Sequence, residues 1–430
     1  MRFGIAKEII TPDYPYYMIG FAEYYKKYFE RIHDDVFVRC FIMDDGKTRT
    51  IMLAYDLLFH DFEFTEKIRA YIKNEYKIDG ANVFCSFTHT HYSVAVQGYA
   101  SELATPEYEQ FLWQQTIRCI HKAFINQYSG SLSYAILRTD DNINRRKLVN
   151  GKYEMLPNLE GEKDNELFLL LARDENGMIR ALVVNYSCHP NICKAEMEIS
   201  GEYPGRLCQL LETRYFGAQA IFFQGCGADT RARLTAEYDH FRKGTFDDID
   251  DMAKSLEAKI QRAIERSDVM KSLDVCLQGC TFAIDCPLDI HDRQYYENDY
   301  NTNPYEALRA RAKYILDHYD ELPDSCLLHG GVIKITDDLM VVYMGGEICY
   351  STKKLLMEQF PDKKIFFVGY TDSTAYVPSD KIISEGGYEH EGSIVEYTLK
   401  GSFCAGIDAL MVNAVKDCLS KIDALSKINR

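Results

Sequence analysis

Apolar side chains recur along this chain with two periods, and the alternation between those periods dictates the expected architecture. Runs rich in β-branched and aromatic residues at Asp35–Ile42, Thr50–Tyr55, Val83–Thr88, Leu167–Arg173, Ile179–Ser187, Gln219–Phe223, Gly331–Thr336, Met340–Met344 and Lys364–Gly369 read as strands, as does the opening Met1–Ala6. Between them, Phe64–Tyr76, Pro106–Phe124, Ile249–Ala263, Ile407–Leu419 and a segment opened by Pro204 carry apolar residues at three- and four-residue spacing and read as helices. Interspersed strands and helices predict an α/β, layered α+β fold with mixed sheets flanked by helices. No Pro/Gly/Ser-rich linker and no solenoid period divides residues 1–430, so a single domain is expected. The polar, tyrosine-rich stretch 284–324 reads as an insertion around a helix near Tyr305–Tyr319.

Composition narrows the partners. With 49 Lys and Arg against 65 Asp and Glu, the formal charge of −16 repels nucleic acid and anionic lipid surfaces. Apolar runs such as Leu167–Ala172 are far shorter than the roughly 20 residues of a membrane span, so no integral membrane segment is expected. Fourteen cysteines and a start that already reads as a strand point to a reducing, cytoplasmic location.

The chemistry concentrates where strands run out. His89 and His91, in Thr88-His89-Thr90-His91, stand at strand spacing i and i+2, which aims two imidazoles at one point, either a metal ion or backbone groups at the strand end. His189, in Cys188-His189-Pro190, follows another apolar strand, and strand ends are where α/β sheets collect function. Cys188 and Cys193 flank it without a second cysteine pair, which argues against a closed structural zinc site. His121, on a helical stripe with Ile117, Ile120 and Phe124, reads as packed. Glu347, after an apolar strand and Gly345-Gly346, reads as opening a helix, where capping is the alternative to a ligand role. The acidic run Asp247–Asp251 reads as first-turn charge on a helix, not as a calcium site.

Taken in order, Thr88-His89-Thr90-His91-Tyr92-Ser93, Asn142-Ile143-Asn144-Arg145, Cys188-His189-Pro190, Gly345-Gly346-Glu347, Tyr376-Val377-Pro378 and Gly387-Tyr388-Glu389 resemble the signature segments of the neutral (non-lysosomal) ceramidase family. Phe3–Pro12, Ile32-His33-Asp34 and Leu53-Ala54-Tyr55-Asp56 extend the resemblance over nearly the whole chain, though only to the family's catalytic domain, without its immunoglobulin-like C-terminal domain or its secretory or anchoring N-terminus. It implies one zinc per chain, bound by His89, His189, Glu347 and Tyr376. His91, Arg145 and Tyr388 would line the pocket, and His33 and Asp56 would approach it.

One segment departs from the family pattern. Where the family carries its serine nucleophile in Gly-Asp-x-Ser-Pro, this chain reads Gly227-Ala228-Asp229-Thr230-Arg231-Ala232, so Arg231 takes the serine's place. A guanidinium stays protonated and is no nucleophile. Thr230, by a one-residue slip, and Cys226, in a Gly-Cys-Gly turn, are the replacement candidates. Otherwise a zinc-activated water attacks the carbonyl, with His91 carrying the proton and Arg145 or Tyr388 steadying the oxyanion. Arg231 would then recognise an anion, unless it or Arg233 pairs with Asp229. The expected activity is zinc-dependent hydrolysis of an amide, or an ester, in a small soluble polar or anionic substrate. A ceramidase-type lipid amidase and a non-catalytic metal- or ligand-binding relative are the alternatives.

Overall fold

Along the strand Phe37–Asp44, Val38, Cys40 and Ile42 face one apolar layer while Phe41 and Met43 face another, so both sides of this strand are buried. The same two-sided burial runs through the sheet that contains it, in a computed structural model that describes residues 1–193, 197–266 and 268–428. In spatial order the large sheet comprises Gln219–Gln224, Ile179–Tyr186, Glu166–Asp174, Gln127–Arg138, Arg2–Ile9, Phe37–Asp44, Arg49–Tyr55 and Val83–Phe87, with Lys271–Leu273 added on Gln127–Arg138. A second sheet orders Lys364–Val368, Leu339–Met344, Ser325–Lys334, Gln278–Ile290 and Gly401–Phe403.

The sheets pack face to face. Phe3, Phe41, Phe84, Phe168, Val183 and Phe223 of the large sheet share one core with Ile333, Val341, Tyr343 and Phe366 of the second. Phe168 stacks on Phe366 with ring centroids 4.7 Å apart, and Phe84 on Tyr343 at 4.8 Å. The outer face of the large sheet is covered by the helices Phe62–Tyr76, Pro106–Ile125, Glu202–Arg214 and Phe246–Glu265, through residues such as Ile68, Leu112, Leu207 and Leu256. Tyr350–Gln359 and Ile407–Ile428 cover the outer face of the second sheet through Leu356, Met411 and Val415. The result is a four-layer helix–sheet–sheet–helix stack, the mixed α/β arrangement expected from the sequence.

The differences from the sequence reading have local causes. Within the stretch read as an insertion, Gln278–Ile290 is a strand of the second sheet, in which Ile284, Cys286 and Leu288 point inward between more exposed neighbours. After it, the helices Arg293–Thr302 and Glu306–Asp317 close around Tyr296, Ala312 and Ile315. His121 points to solvent from its helix, within 3.4 Å of the Tyr76 hydroxyl, and is not packed. Thr245 and Asp248 form a capping box at the start of Phe246–Glu265, which accounts for part of the acidic run.

Within the two large sheets three strand pairs are parallel: Arg49–Tyr55 with Val83–Phe87, Ile179–Tyr186 with Gln219–Gln224, and Leu339–Met344 with Lys364–Val368. Hydrogen bonds near their carboxyl ends tie the two sheets together. The Asn185 amide donates to the carbonyls of Phe223 and Phe367, both at 2.9 Å, Phe87 N donates to Tyr370 O at 2.9 Å, and Gly369 N donates to Gln224 O at 3.0 Å. Because the inter-sheet core carries this arrangement, Phe366→Ala is expected to cost about 3–5 kcal/mol of stability in a denaturant titration. Phe216→Ala, at a side chain 92% exposed, should change it by less than about 0.5 kcal/mol.

Candidate metal and hydrolytic site

The loops that leave these strand ends carry the histidines. The strand Val83–Phe87 stops two residues before His89, which adopts φ of 64°, a left-handed conformation costing about 1–3 kcal/mol for a residue with a Cβ. This turn, and not strand alternation, brings His89 and His91 together. The His89 amide donates to Leu57 O at 3.0 Å, which fixes the turn. His91, His89 and His189 present ring nitrogens that all lie within 4.8 Å of one another.

Their hydrogen bonds assign the protons. Nδ1 of His89 lies 3.2 Å from Leu58 O and Nδ1 of His189 lies 3.3 Å from Gly227 O, so each donates there and leaves an Nε2 lone pair. Nε2 of His189 faces Nε2 of His91 at 2.8 Å. Burial pushes all three imidazoles toward the neutral form, His91 to about 3, with Arg145 and Arg231 adding to the effect on it.

Glu347 completes the group from the second sheet. It lies in a two-residue strand, Glu347–Ile348, ahead of the helix that begins at Tyr350, so it does not cap that helix. Gly346 makes the turn before it at φ of 80°, where a Cβ would meet Ala375 O at 2.4 Å. The strand pairs in parallel with Tyr376–Val377, in a register that sets Glu347 beside Tyr376. Tyr397 donates its hydroxyl to Glu347 Oε1. Oε2 lies 3.4 Å from Nε2 of His89, and among the described residues neither atom has a hydrogen-bond partner.

A buried lone pair facing a buried carboxylate oxygen requires a proton or a cation between them. Desolvation favours the proton, raising the Glu347 carboxyl to about 8. A divalent ion fits the same gap. Two ligands bonded at roughly 2.0–2.1 Å to a tetrahedral ion stand about 3.4 Å apart, and neutral imidazole, carboxylate and phenol oxygen are suitable donors.

Two arginines flank the group. Arg145 is buried; its Nε donates to Glu389 at 3.0 Å, its Nη2 to the Tyr376 hydroxyl at 3.1 Å, and its backbone amide to Asp229 O at 2.9 Å. Glu389 also accepts from Arg146, so one carboxylate anchors two guanidinium groups. Arg231 donates to the side chain and the backbone carbonyl of Asn191, at 3.2 and 3.3 Å, and not to Asp229, whose carboxylate accepts from Tyr350 N at 3.1 Å. Arg233 pairs with Asp140. His89, His91, His189, Glu347, Tyr376, Tyr388, Arg145 and Arg231 line one cavity of about 370 Å³, together with the apolar side chains of Met18, Ile19, Phe21, Leu58 and Leu103.

Other sequence candidates lie elsewhere. His33 stacks on Phe246 near the surface, and Asp56 is buried against Arg39. Cys226 sits in the core of the second sheet with its thiol raised well above the usual range by burial. The Thr230 hydroxyl is buried and donates to the carbonyls of Ser187 or Gly227 at 3.3–3.4 Å. Neither is placed as a nucleophile. Tyr397 and Glu396, which accepts from both Tyr99 and Tyr388, join the site without a sequence signal, since the stretch 394–399 mixes apolar and polar residues in no regular period.

No family model and no curated protein matches this chain by sequence. Solved structures do match. The neutral ceramidase of Pseudomonas aeruginosa superposes with a TM-score of 0.70 at 17% identity, over 93% of this chain and 71% of the other. A ceramidase complexed with C2 superposes with a TM-score of 0.70 at 16% identity, over 93% of this chain and 72% of the other. The four layers thus form a neutral-ceramidase-like fold.

Proposed function

We propose that the protein is a zinc-dependent hydrolase of a C–N amide bond, with an ester as the nearest variant, acting on a small polar or anionic substrate. The observation that carries this reading is the buried pairing of the His89 lone pair with the Glu347 carboxylate inside a cavity shared with His91 and His189. One zinc per chain would be held by His89, His189, Glu347 and Tyr376, and when bound it supplies Lewis acidity toward a carbonyl and toward water. His91, neutral at working pH, accepts the proton of the attacking water and returns it to the leaving nitrogen. Arg145 offers the developing oxyanion the N–H groups left over from Glu389 and Tyr376, and Tyr388 joins it by exchanging Glu396 for substrate. Arg231 confers the preference for an anionic group. The whole chain acts as one catalytic unit, since both sheets contribute to the site.

The apolar wall of the cavity favours a second reading, a lipid-like N-acyl amide. No helix among the described residues is long and apolar enough to cross a membrane. Buried free thiols such as Cys40, Cys85, Cys119 and Cys208 support a reducing, cytoplasmic setting.

Protein purified without added metal is expected to carry about one zinc per chain by elemental analysis, and His189→Ala and Glu347→Gln to lose most of it. Tyr397→Phe, which frees Glu347 Oε1, should weaken zinc binding about 10- to 100-fold without abolishing it. A native protein without zinc, indistinguishable from these variants, would sink the reading, while zinc without turnover of any amide or ester would leave a ligand-binding protein.

Zinc uptake also has a proton signature. Imidazole and carboxylate ligands bind deprotonated, Tyr376 would bind through its neutral phenol oxygen, and the imidazoles are already neutral at pH 7, whereas the Glu347 carboxyl, raised to about 8, is still largely protonated. Binding near pH 7 should therefore release up to about one proton from Glu347, read as a dependence of calorimetric enthalpy on buffer ionisation enthalpy. That release should fade as pH rises past 8, and zinc affinity should fall as pH drops below it.

A further inference from the structure

Arg231 differs from Arg145 and Arg311, the other arginines around the cavity, in the guanidinium edge that it leaves uncommitted. Arg145 is neutralised by Glu389, and Arg311, which also has no carboxylate within salt-bridge distance among the described residues, commits both Nη1 and Nη2 to the backbone carbonyls of Glu396 and Tyr99. Arg231 has no carboxylate within salt-bridge distance among the described residues, and its only hydrogen-bond acceptor there is Asn191.

A guanidinium carries five N–H groups. Two are directed to Asn191, one from Nε and one from Nη2, which leaves Nη1 and half of Nη2 along one edge. Phe241 covers the guanidinium face, with the ring centroid 4.7 Å from Cζ. What remains available is a planar, two-toothed edge, the shape that matches a carboxylate.

The position of that edge relative to the histidines is fixed by covalent neighbours. Asn191 is two residues after His189, and its amide donates to His189 O at 3.0 Å. Arg231 sits in the strand Thr230–Ala232, in register with Ile143 on the strand that carries Arg145. The guanidinium lines the same cavity as His91 and His189. An anion held there lies beside the reacting centre, while the apolar wall formed by Met18, Ile19 and Leu103 belongs to the same cavity.

We propose that Arg231, braced by Asn191, is a carboxylate subsite, and that the substrate is an N-acyl amino acid whose carboxylate it binds. This rests on the amide-hydrolase reading. The acyl chain occupies the apolar side, the amide carbonyl meets the histidines, and the amino-acid carboxylate takes the Arg231 edge. Water adds to the carbonyl carbon and the C–N bond breaks. The nitrogen leaves with its electron pair and is protonated, giving a fatty or short-chain carboxylate and a free amino acid.

The test compares N-octanoylglycine with its neutral counterpart N-octanoylglycinamide on the whole chain, measuring both Kd by calorimetry and kcat/KM. The native protein should prefer the carboxylate by about 10- to 100-fold in both quantities, the range for a charge-assisted pair. Arg231→Ala should bring that ratio close to one, and Arg231→Lys should restore only part of it, because an ammonium cannot engage both oxygens in one plane. Equal affinity of the native protein for the two probes, or a preference that survives in Arg231→Ala, would overturn the proposal. Preferential binding of N-octanoylglycine without turnover of either probe would uphold the subsite and reject the hydrolase reading, so the two failures are distinct.

Discussion

The apolar contact between the two sheets is the constraint from which the rest follows. The large sheet is buried on both faces, so its strands cannot alternate apolar with polar, and helices must cover the side that the second sheet does not. Strand ends from both sheets are then tied at one edge of the stack, where the Asn185 amide bridges Phe223 and Phe367. Segments leaving that edge lie against one another, and they hold His89, His189, Asp229 and Glu347.

Dryness at that edge sets the chemistry. Desolvation strips the imidazoles of charge and drives Glu347 toward its protonated form, so the site holds neutral donors with lone pairs and carboxyl oxygens turned inward. Arg145 is tolerated in the same environment because Glu389 compensates it, and that carboxylate also serves Arg146. The left-handed turn at His89 costs energy that packing elsewhere must offset, and backbone strain of this kind gathers at functional sites.

Arg231 determines what the segment 229–231 can offer the cavity. Thr230 and Cys226, the nearest candidate nucleophiles, are consumed by the interior, one by backbone carbonyls and the other by the core of the second sheet. What the loop offers the cavity is a cation held by an amide group, in a chain whose formal charge is −16. Such a loop suits recognition of a negative group better than covalent catalysis.

The sequence alone determined the class of fold and most strands and helices, because two-sided apolar runs and three-to-four spacing reflect local geometry that tertiary context rarely reverses. It also singled out His89, His91 and His189 where apolar strands run out, whereas Glu347, Tyr376, Arg145 and Tyr388 were marked only by the resemblance of their segments to the neutral ceramidase family. The second-sheet strand through Gln278–Ile290 does alternate at Ile284, Cys286 and Leu288, but Pro287 within it reads against a strand. Periodicity could not show the solvent-facing side of His121, or that Glu347 pairs with Tyr376 instead of capping a helix. The partners of Arg145, Arg231 and Glu347 were decided only by tertiary structure, because Glu389, Asn191 and Tyr397 reach them from separate segments brought together at the edge of the two sheets.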